Sequence, residues 1–154
     1  MADNEQRIGA MASLLSSARH EASIYEHRVD GYLFDDERVL AAIRTLVTGG
    51  RGARLRLLVQ DTARLQTEAP RMLALAQRMT SAFTIRCPVE AADTAYASAF
   101  ALADAGGLLF RPEATRGEGR PGGAEVGEHA RLQSYFDAVW ERSAPAAALR
   151  RIDI

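Results

Sequence analysis

The chain has 154 residues, the size of one ordinary domain that buries a hydrophobic core without needing disulfides or a structural metal. Its 47% hydrophobic and 25% charged residues are average for a globular protein and exclude a disordered or fibrous chain. A net charge of −1 excludes a strong positive field, so we expect neither a membrane surface nor non-specific nucleic acid as a partner.

The first half of the chain alternates between helical and strand patterns. Apolar residues at helical spacing predict a first helix at about residues 4–19, and β-favouring residues predict a strand at 21–28. Asp35 or Asp36 is placed to cap a second helix, which a glycine pair ends. In the short run at 53–61, polar and apolar residues alternate at first and are then followed by consecutive apolar residues, which is typical of a strand covered on both faces.

The alternation continues in the second half of the chain. A helix is predicted at about residues 70–80 and a strand at 83–87. This order is typical of parallel βαβ units, whose right-handed crossovers place helices on both faces of one sheet. A turn composition then joins residues 97–103 and 108–111 as a hairpin. We therefore predict an α/β fold with a mixed, mostly parallel sheet and helices on both faces.

The last predicted helix, at about residues 128–142, carries a stripe of large apolar side chains. The stripe includes Tyr135, Phe136, Val139 and Trp140. A stacking platform for a ligand is one interpretation of these aromatic residues. Their helical spacing favours the other, in which they anchor the core beneath the sheet.

Nothing in the composition divides the chain into separate domains. We predict one domain over residues 1–154, with an N-terminal helix in 1–20 and the α/β part in 21–154. Residues 112–127 are rich in glycine and charge without periodicity, which indicates a long surface loop. Residues 149–154 are placed to return and pair with the sheet.

No segment has the roughly 20 consecutive apolar residues that span a bilayer. The first residues, Met1–Gln6, are polar and acidic, unlike the basic and then apolar start of a secretory signal. We therefore expect the protein to stay in the cytoplasm.

The residue patterns of common metal, phosphate and hydrolase sites are missing. His20, His27 and His129 lie far apart, and none belongs to a cysteine pair or a His-Glu-x-x-His motif, so we expect no metal and no cofactor. The glycine-rich stretches 49–52 and 116–123 lack the strand-to-helix position and the Lys-Ser/Thr ending of a phosphate-binding loop. No Gly-x-Ser-x-Gly elbow supports serine hydrolase chemistry.

Several stretches carry a family resemblance. They are Arg54–Asp61, Met79–Arg86, Phe100–Arg111, and the ending Tyr135–Ser143 with Leu149–Ile152. With the order of elements, they resemble the phospholipase D-like superfamily over about residues 21–154, in particular an uncharacterised bacterial branch found alone or fused to an acetyltransferase domain. The resemblance implies a single phospholipase D-like domain. It also implies two candidate partners, a second copy in a homodimer and an acetyltransferase.

Active members of that superfamily carry His-x-Lys on a strand, with an Asp after four further residues. Here Asp104 occupies the aspartate place, while Ala97 and Ala99 occupy the histidine and lysine places. The superfamily mechanism needs an imidazole to form a phosphohistidine and a cation to hold the phosphoryl oxygens, and a methyl group does neither. The resemblance therefore implies a pseudoenzyme without phosphodiesterase activity. Asp104 itself is better interpreted as a hairpin-turn residue.

Polar side chains at the predicted strand ends form a candidate ligand-binding set. Asp61 and Arg86 end parallel strands, Asp104 follows the first hairpin strand, and Arg111 ends the second. Ligands of open α/β sheets collect beyond the carboxyl ends of the strands, so this set points to a phosphate-bearing ligand. The alternative is that the arginines are solvated or pair with a carboxylate such as Asp61.

Three classes of function stay open. The first is a catalytically inactive phospholipase D-like domain that acts as a binding or regulatory module. The second is an enzyme of altered chemistry that uses Asp61, Glu141 or His129 with the arginines. The third is nucleic-acid binding through the Arg116–Arg120 loop, which we favour least because neighbouring glutamates largely cancel the positive charge.

Overall fold

The computed structural model describes residues 2–112, 120–121 and 126–149. The strands are β1 (Glu21–Arg28), β2 (Arg54–Asp61), β3 (Phe83–Cys87), β4 (Ala99–Ala103), β5 (Leu108–Arg111), β6 (Arg120–Pro121) and β7 (Ala144–Pro145). The helices are α1 (Ala2–Ser17), α2 (Gly31–Phe34), α3 (Glu37–Val47), α4 (Leu65–Glu68), α5 (Pro70–Arg78), α6 (Ala91–Thr94) and α7 (Val126–Glu141). A 3₁₀ turn follows at Ala147–Leu149.

The strands form one seven-stranded sheet in the order β6-β5-β4-β1-β2-β3-β7. Strands β1, β2 and β3 are parallel to one another, because helices α3 and α5 carry the chain back between them. The hairpin of β4 and β5 adds antiparallel strands beside β1, and β7 adds one beside β3. The predicted mixed α/β fold is confirmed, but among the described strands parallel pairing is limited to β1, β2 and β3.

Local signals account for the central elements. The side chain of Asp36 caps helix α3 by accepting a hydrogen bond of 2.8 Å from the backbone N–H of Arg38. Helix α3 ends at Val47 and is followed by a turn in which Gly50 has a φ of 101°, a conformation that favours glycine. The following strand, β2, is buried over most of its length, as expected for a strand covered on both faces.

Two apolar clusters cover the two faces of the sheet. Side chains of α1, α3 and α5 pack on one face, together with residues such as Ile24 and Leu57. Helix α7 packs on the other face, where the Phe136 ring contacts the rings of Phe100 and Trp140. The predicted burial of Phe136 and Trp140 is confirmed. Tyr135 is partly buried at the margin of this cluster, where its ring lies 4.8 Å from that of Tyr96.

Two predicted segments fall largely outside the described residues. Of the predicted loop at 112–127, residues 113–119 and 122–125 lie outside them, and 120–121 form the short strand β6. Residues 150–154 also lie outside, and the returning strand that is described, β7, pairs with Arg86 and Cys87 of β3. Within the described ranges, no helix combines the length and the apolar character that crossing a membrane requires.

Candidate functional site

Two of the three positions that the family resemblance singled out, Ala97 and Ala99, lie at one edge of the sheet. Strands β1, β2 and β3 end there, and we call it the carboxyl edge. Strand β4 runs antiparallel to β1, so it begins at the carboxyl edge with Ala99, two residues after Ala97. Asp104 follows the end of β4 and therefore lies at the opposite edge.

Asp104 ties the hairpin turn to the start of β1. Its carboxylate accepts hydrogen bonds from the backbone N–H groups of Arg19, His20 and Glu21 at 2.7, 2.8 and 3.1 Å. Burial acts to raise the pKa of Asp104, but the three donors outweigh it, and the pKa is lowered. The side chain thus stabilises the connection between α1 and β1.

The other three predicted ligand residues lie apart from one another. Asp61 is exposed and accepts a hydrogen bond of 3.0 Å from the backbone N–H of Ala63. Arg86 donates a hydrogen bond of 3.1 Å to the backbone carbonyl of Trp140, on the α7 face of the sheet. Arg111 lies on β5, with three strands between it and β3, and points to the α1 face. The structure does not bring the four predicted residues together.

A row of three residues runs across the sheet through Ala99, the residue that the family resemblance assigned to the motif lysine. The register of β1 and β4 pairs Tyr25 with Phe100, so the next residue, Glu26, lies opposite Ala99. Strands β4 and β5 pair Ala99 with Arg111. Opposite residues of antiparallel strands point to the same face, so Glu26, Ala99 and Arg111 form one row, which we call the cross-strand row.

The ends of the cross-strand row form a buried ion pair over the methyl group of Ala99. The guanidinium of Arg111 donates a hydrogen bond to the carboxylate of Glu26, and the two side chains are 8% and 5% exposed. Neighbouring strands lie about 4.8 Å apart, so β1 and β5 are about 10 Å apart. The Arg111 side chain therefore has to cross Ala99, which is only 1% exposed, to reach Glu26.

Arg7 of helix α1 lies near the carboxylate of Glu26 and acts on it through its charge. Its guanidinium donates hydrogen bonds to the hydroxyl of Tyr32 and, at 3.5 Å, to the carboxylate of Asp30. We call Arg7, Glu26, Asp30, Tyr32 and Arg111 the acid–arginine cluster. Burial raises the pKa of Glu26 to about 7, although the positive charges of Arg111 and Arg7 act in the opposite direction.

On the α7 face of the carboxyl edge, a hydrogen-bond network orients His27. The Gln60 amide NH₂ group donates to the backbone carbonyls of Asp93 and Tyr96 at 3.1 and 2.8 Å. Carbonyls only accept, so the amide oxygen must face Nδ1 of His27, 2.8 Å away. Neutral His27 then carries its proton on Nδ1 and a lone pair on Nε2. No other described residue forms a hydrogen bond with this partly exposed imidazole.

A second ion pair, in which only the carboxylate is buried, fixes the Asp93 carbonyl that helps to hold Gln60. The Asp93 carboxylate accepts hydrogen bonds of 2.6 and 2.8 Å from the guanidinium of Arg142, just beyond the end of α7. The backbone carbonyl of Asp93 also accepts a hydrogen bond of 2.7 Å from the Tyr25 hydroxyl. Helix α6 is thus anchored to α7 and β1, and the position of Gln60 follows from that anchoring.

The structure does not bring His129 to Asp61, although the sequence offered both for altered chemistry. His129 interacts with the backbone carbonyl of Ala103 at 2.9 Å, at the edge opposite to Asp61. Glu141 is exposed at the end of α7. Over the part of the chain that the structure describes, no three metal-binding side chains come together.

The sequence analysis did not identify Glu26 or Gln60 as site residues. The available signal for Glu26 was an acidic residue on the same strand face as two core residues.

Replacing Ala99 with lysine, the residue of the active motif, is expected to lower the free energy of unfolding by roughly 3 kcal/mol or more. The longer side chain overpacks the cross-strand row and buries a further cation beside Arg111. The control is Ala97→Lys, which introduces the same side chain at an exposed position just before the same strand. Urea unfolding measures the stability of both variants. Equal stability of the two variants would mean that Arg111 does not depend on the space above Ala99.

No curated protein matches the sequence. The fold is similar to that of Nuc from Salmonella typhimurium, a phospholipase D family member, with a TM-score of 0.60, 8% identity and 88% of each chain covered. It is also similar to NucT from Helicobacter pylori, with a TM-score of 0.57, 11% identity and 94% of each chain covered. These likenesses support the phospholipase D-like fold. A family model matches residues 3–152, and the chain therefore belongs to the family described as Domain of unknown function (DUF7931).

Proposed function

We propose that this chain is a catalytically inactive phospholipase D-like domain that acts as a binding or regulatory module. The cross-strand row carries the proposal. Phosphoryl transfer by the superfamily mechanism needs a nucleophile and a cation at the places of Ala97 and Ala99, and both are methyl groups. The cation that lies over Ala99, Arg111, has Glu26 as its counter-charge. Chemistry of the superfamily type therefore lacks both of its essential groups.

A second candidate function is an enzyme of altered chemistry that uses His27. The observation that favours it is the orientation of the imidazole by Gln60, which leaves a lone pair on Nε2 at the carboxyl edge. This is the form in which a histidine acts as a base or a nucleophile. Asp61, Glu141 and His129 are less suited to this role, because Asp61 and Glu141 are exposed and His129 lies at the opposite edge.

Hydrolysis of bis(p-nitrophenyl) phosphate separates the two candidates. We expect the wild-type chain to release p-nitrophenol no faster than the His27→Ala variant. His129→Ala is the matched control, because His129 interacts with a backbone carbonyl at the opposite edge. Turnover that is lost in His27→Ala and kept in His129→Ala would overturn the inactive module and support the second candidate.

For the module, the resemblance favours a second copy of the chain as partner, with an acetyltransferase as the alternative. Related folds pair through their sheet and site edges, which supports the homodimer. Light scattering of the full chain at high concentration is expected to give the mass of a dimer, and a monomer throughout would remove the homodimer from the proposal. Binding of a phosphate-bearing ligand is tested by titration with inorganic phosphate, in which NMR monitors the chemical shifts of the backbone amides at the carboxyl edge.

A further inference from the structure

Three polar side chains form a row across the carboxyl edge of the sheet. The register of β1 and β4 pairs Tyr25 with Phe100. Two residues further towards the carboxyl edge, His27 of β1 therefore lies opposite Ser98, which directly precedes β4. The register of β1 and β2 places Gln60 on the other side of His27. We call Ser98, His27 and Gln60 the serine–histidine row.

The serine–histidine row lies on the α7 face of the sheet. Side chains alternate along a strand, so Ser98 shares the face of Phe100, and His27 shares that of Tyr25. Both rings belong to the apolar cluster beneath α7. The β-carbons of opposite residues on antiparallel strands are about 4.5 to 5.5 Å apart. Ser98 and His27 are each partly exposed, so a small molecule in solution can reach both side chains.

Gln60 holds His27 in the form that takes up a proton from a hydroxyl. The amide oxygen of Gln60 lies 2.8 Å from Nδ1, which leaves the lone pair of the neutral ring on Nε2. A hydroxyl, a base beside it and a third group that orients the base form the arrangement that activates a serine for attack. In papain-like proteases the third group is also a side-chain amide. The serine–histidine row thus contains all three parts.

The hydroxyl of Ser98 also contacts groups outside the row. It donates a hydrogen bond of 2.7 Å to the backbone carbonyl of Pro112. Burial raises the pKa of Tyr96, whereas a hydrogen bond with Ser98 and the charge of Arg131 act in the opposite direction, so the Tyr96 phenol lies beside the Ser98 hydroxyl. A hydroxyl rotates about its C–O bond, and its proton can therefore turn from Pro112 towards His27.

These groups suit acyl transfer better than phosphoryl transfer. A transferring phosphoryl group spreads its charge over three oxygens and is stabilised by cations, and the serine–histidine row contains no arginine or lysine. The tetrahedral intermediate of an ester carries its charge on a single oxygen, which one hydroxyl donor such as the phenol of Tyr96 stabilises. The substrate class that fits the row is therefore a small carboxylic ester.

We propose that the serine–histidine row is an acyl-transfer site, with Ser98 as the nucleophile, His27 as the base and Gln60 as a positioning residue. The Ser98 Oγ forms a bond to the carbonyl carbon of the ester while its proton passes to Nε2 of His27. The bond between that carbon and the leaving oxygen then breaks, and the proton passes from Nε2 to the leaving alcohol. Water attacks the acyl-serine through the same proton transfers and releases the carboxylic acid.

This inference rests on the second candidate function, for which it names the nucleophile and the substrate class. Acylation of Ser98 would favour that candidate over the inactive module. It would leave the argument about phosphoryl transfer unchanged, because that argument concerns Ala97 and Ala99.

Reaction of the full chain with p-nitrophenyl acetate tests the acyl-transfer site. We expect a burst of p-nitrophenol and an acetyl group on Ser98, located by mass spectrometry of the digested chain. Ser98→Ala is expected to abolish the burst, and His27→Ala to slow it about 100-fold, as is typical for the loss of a general base. Ser81→Ala is the matched control, because Ser81 is exposed before β3 at the opposite edge, and it is expected to keep the burst.

The location of the acetyl group in the wild-type chain does not depend on whether a variant folds. A wild-type chain without acetyl on Ser98, or a wild-type burst in Ser98→Ala, would overturn the acyl-transfer site. Gln60→Leu tests the positioning role: kcat is expected to fall with KM unchanged, and a change in KM alone would contradict that role.

A parallel assay with bis(p-nitrophenyl) phosphate separates this inference from the function on which it rests. Phosphodiester turnover that is lost in His27→Ala, without acetyl on Ser98, would overturn the acyl-transfer site and keep the second candidate. Acetyl on Ser98 without phosphodiester turnover would support the acyl-transfer site.

Discussion

Replacing Arg111 with methionine is expected to lower the free energy of unfolding by about 3 to 5 kcal/mol at pH 8, the range for removing one partner of a buried ion pair. The change leaves the Glu26 carboxylate, which is almost fully buried, without its closest cation. At pH 5.5 the loss is expected to be nearer 2 kcal/mol, since Glu26 is then protonated and only a hydrogen bond between a neutral and a charged group is lost. Chemical denaturation at the two pH values measures both.

The control for this prediction is an exposed ion pair of the same sheet. Arg54 pairs with Glu21 at 2.7 Å, and both side chains are nearly half exposed. Arg54→Met is therefore expected to change the free energy of unfolding by less than about 1 kcal/mol at either pH. A loss in Arg111→Met that is the same at pH 8 and pH 5.5 would contradict ionisation of Glu26 between them.

The wild-type chain carries the same pH dependence with a definite sign. The folded-state pKa of Glu26, about 7, lies above its ordinary value of 4.5. In the interval between them the folded state binds more protons than the unfolded state, so this group's contribution to stability is lost as the pH rises from 4.5 through 7. Glu26→Gln removes that contribution, and its unfolding free energy is expected to vary less over the same interval.

The helices and strands were predictable because their signals are local. Apolar spacing predicted the longer helices, β-favouring residues and apolar runs predicted β1, β2 and β3, and Asp36 was one of the two caps predicted for α3. The direction of β4 was also predictable from its hairpin with β5. The strand beside β4 on its other side was not predictable, because nothing in the pattern of β4 indicates that it pairs with β1 rather than with β3. That pairing places Asp104 at the edge opposite to Asp61.

The candidate site was predicted only in part, because its contacts join distant segments. Arg111 was named as a ligand residue, but its partner, Glu26, lies 85 residues away and across an intervening strand. Gln60 and His27 are 33 residues apart, and their contact depends on the parallel register of β1 and β2. The family resemblance assigned Ala97 and Ala99 to motif positions, whereas the ion pair of Arg111 and Glu26 over Ala99 follows only from the three-dimensional pairing of the strands.

Truncating Trp140 to alanine is expected to lower the free energy of unfolding by about 3 to 5 kcal/mol, the range for deleting a large buried aromatic side chain. The indole packs against the Phe136 ring at a centroid distance of 5.8 Å. Two guanidiniums also lie over its ring, that of Arg86 at 4.9 Å and that of Arg56 at 5.6 Å. The Nε atoms of both arginines are buried without a hydrogen-bond partner among the described residues, so the ring is one of their main favourable contacts.

Two further substitutions distinguish this packing role from a non-specific loss of apolar surface. Trp140→Phe keeps an aromatic ring beneath both guanidiniums and is expected to recover a large part of the stability lost in Trp140→Ala. Val89→Ala removes apolar atoms from a residue that is 59% exposed, and its thermal unfolding is expected to match that of the wild type. A melting curve of Trp140→Ala that coincides with that of Val89→Ala would mean that the indole does not hold α7 against β2 and β3.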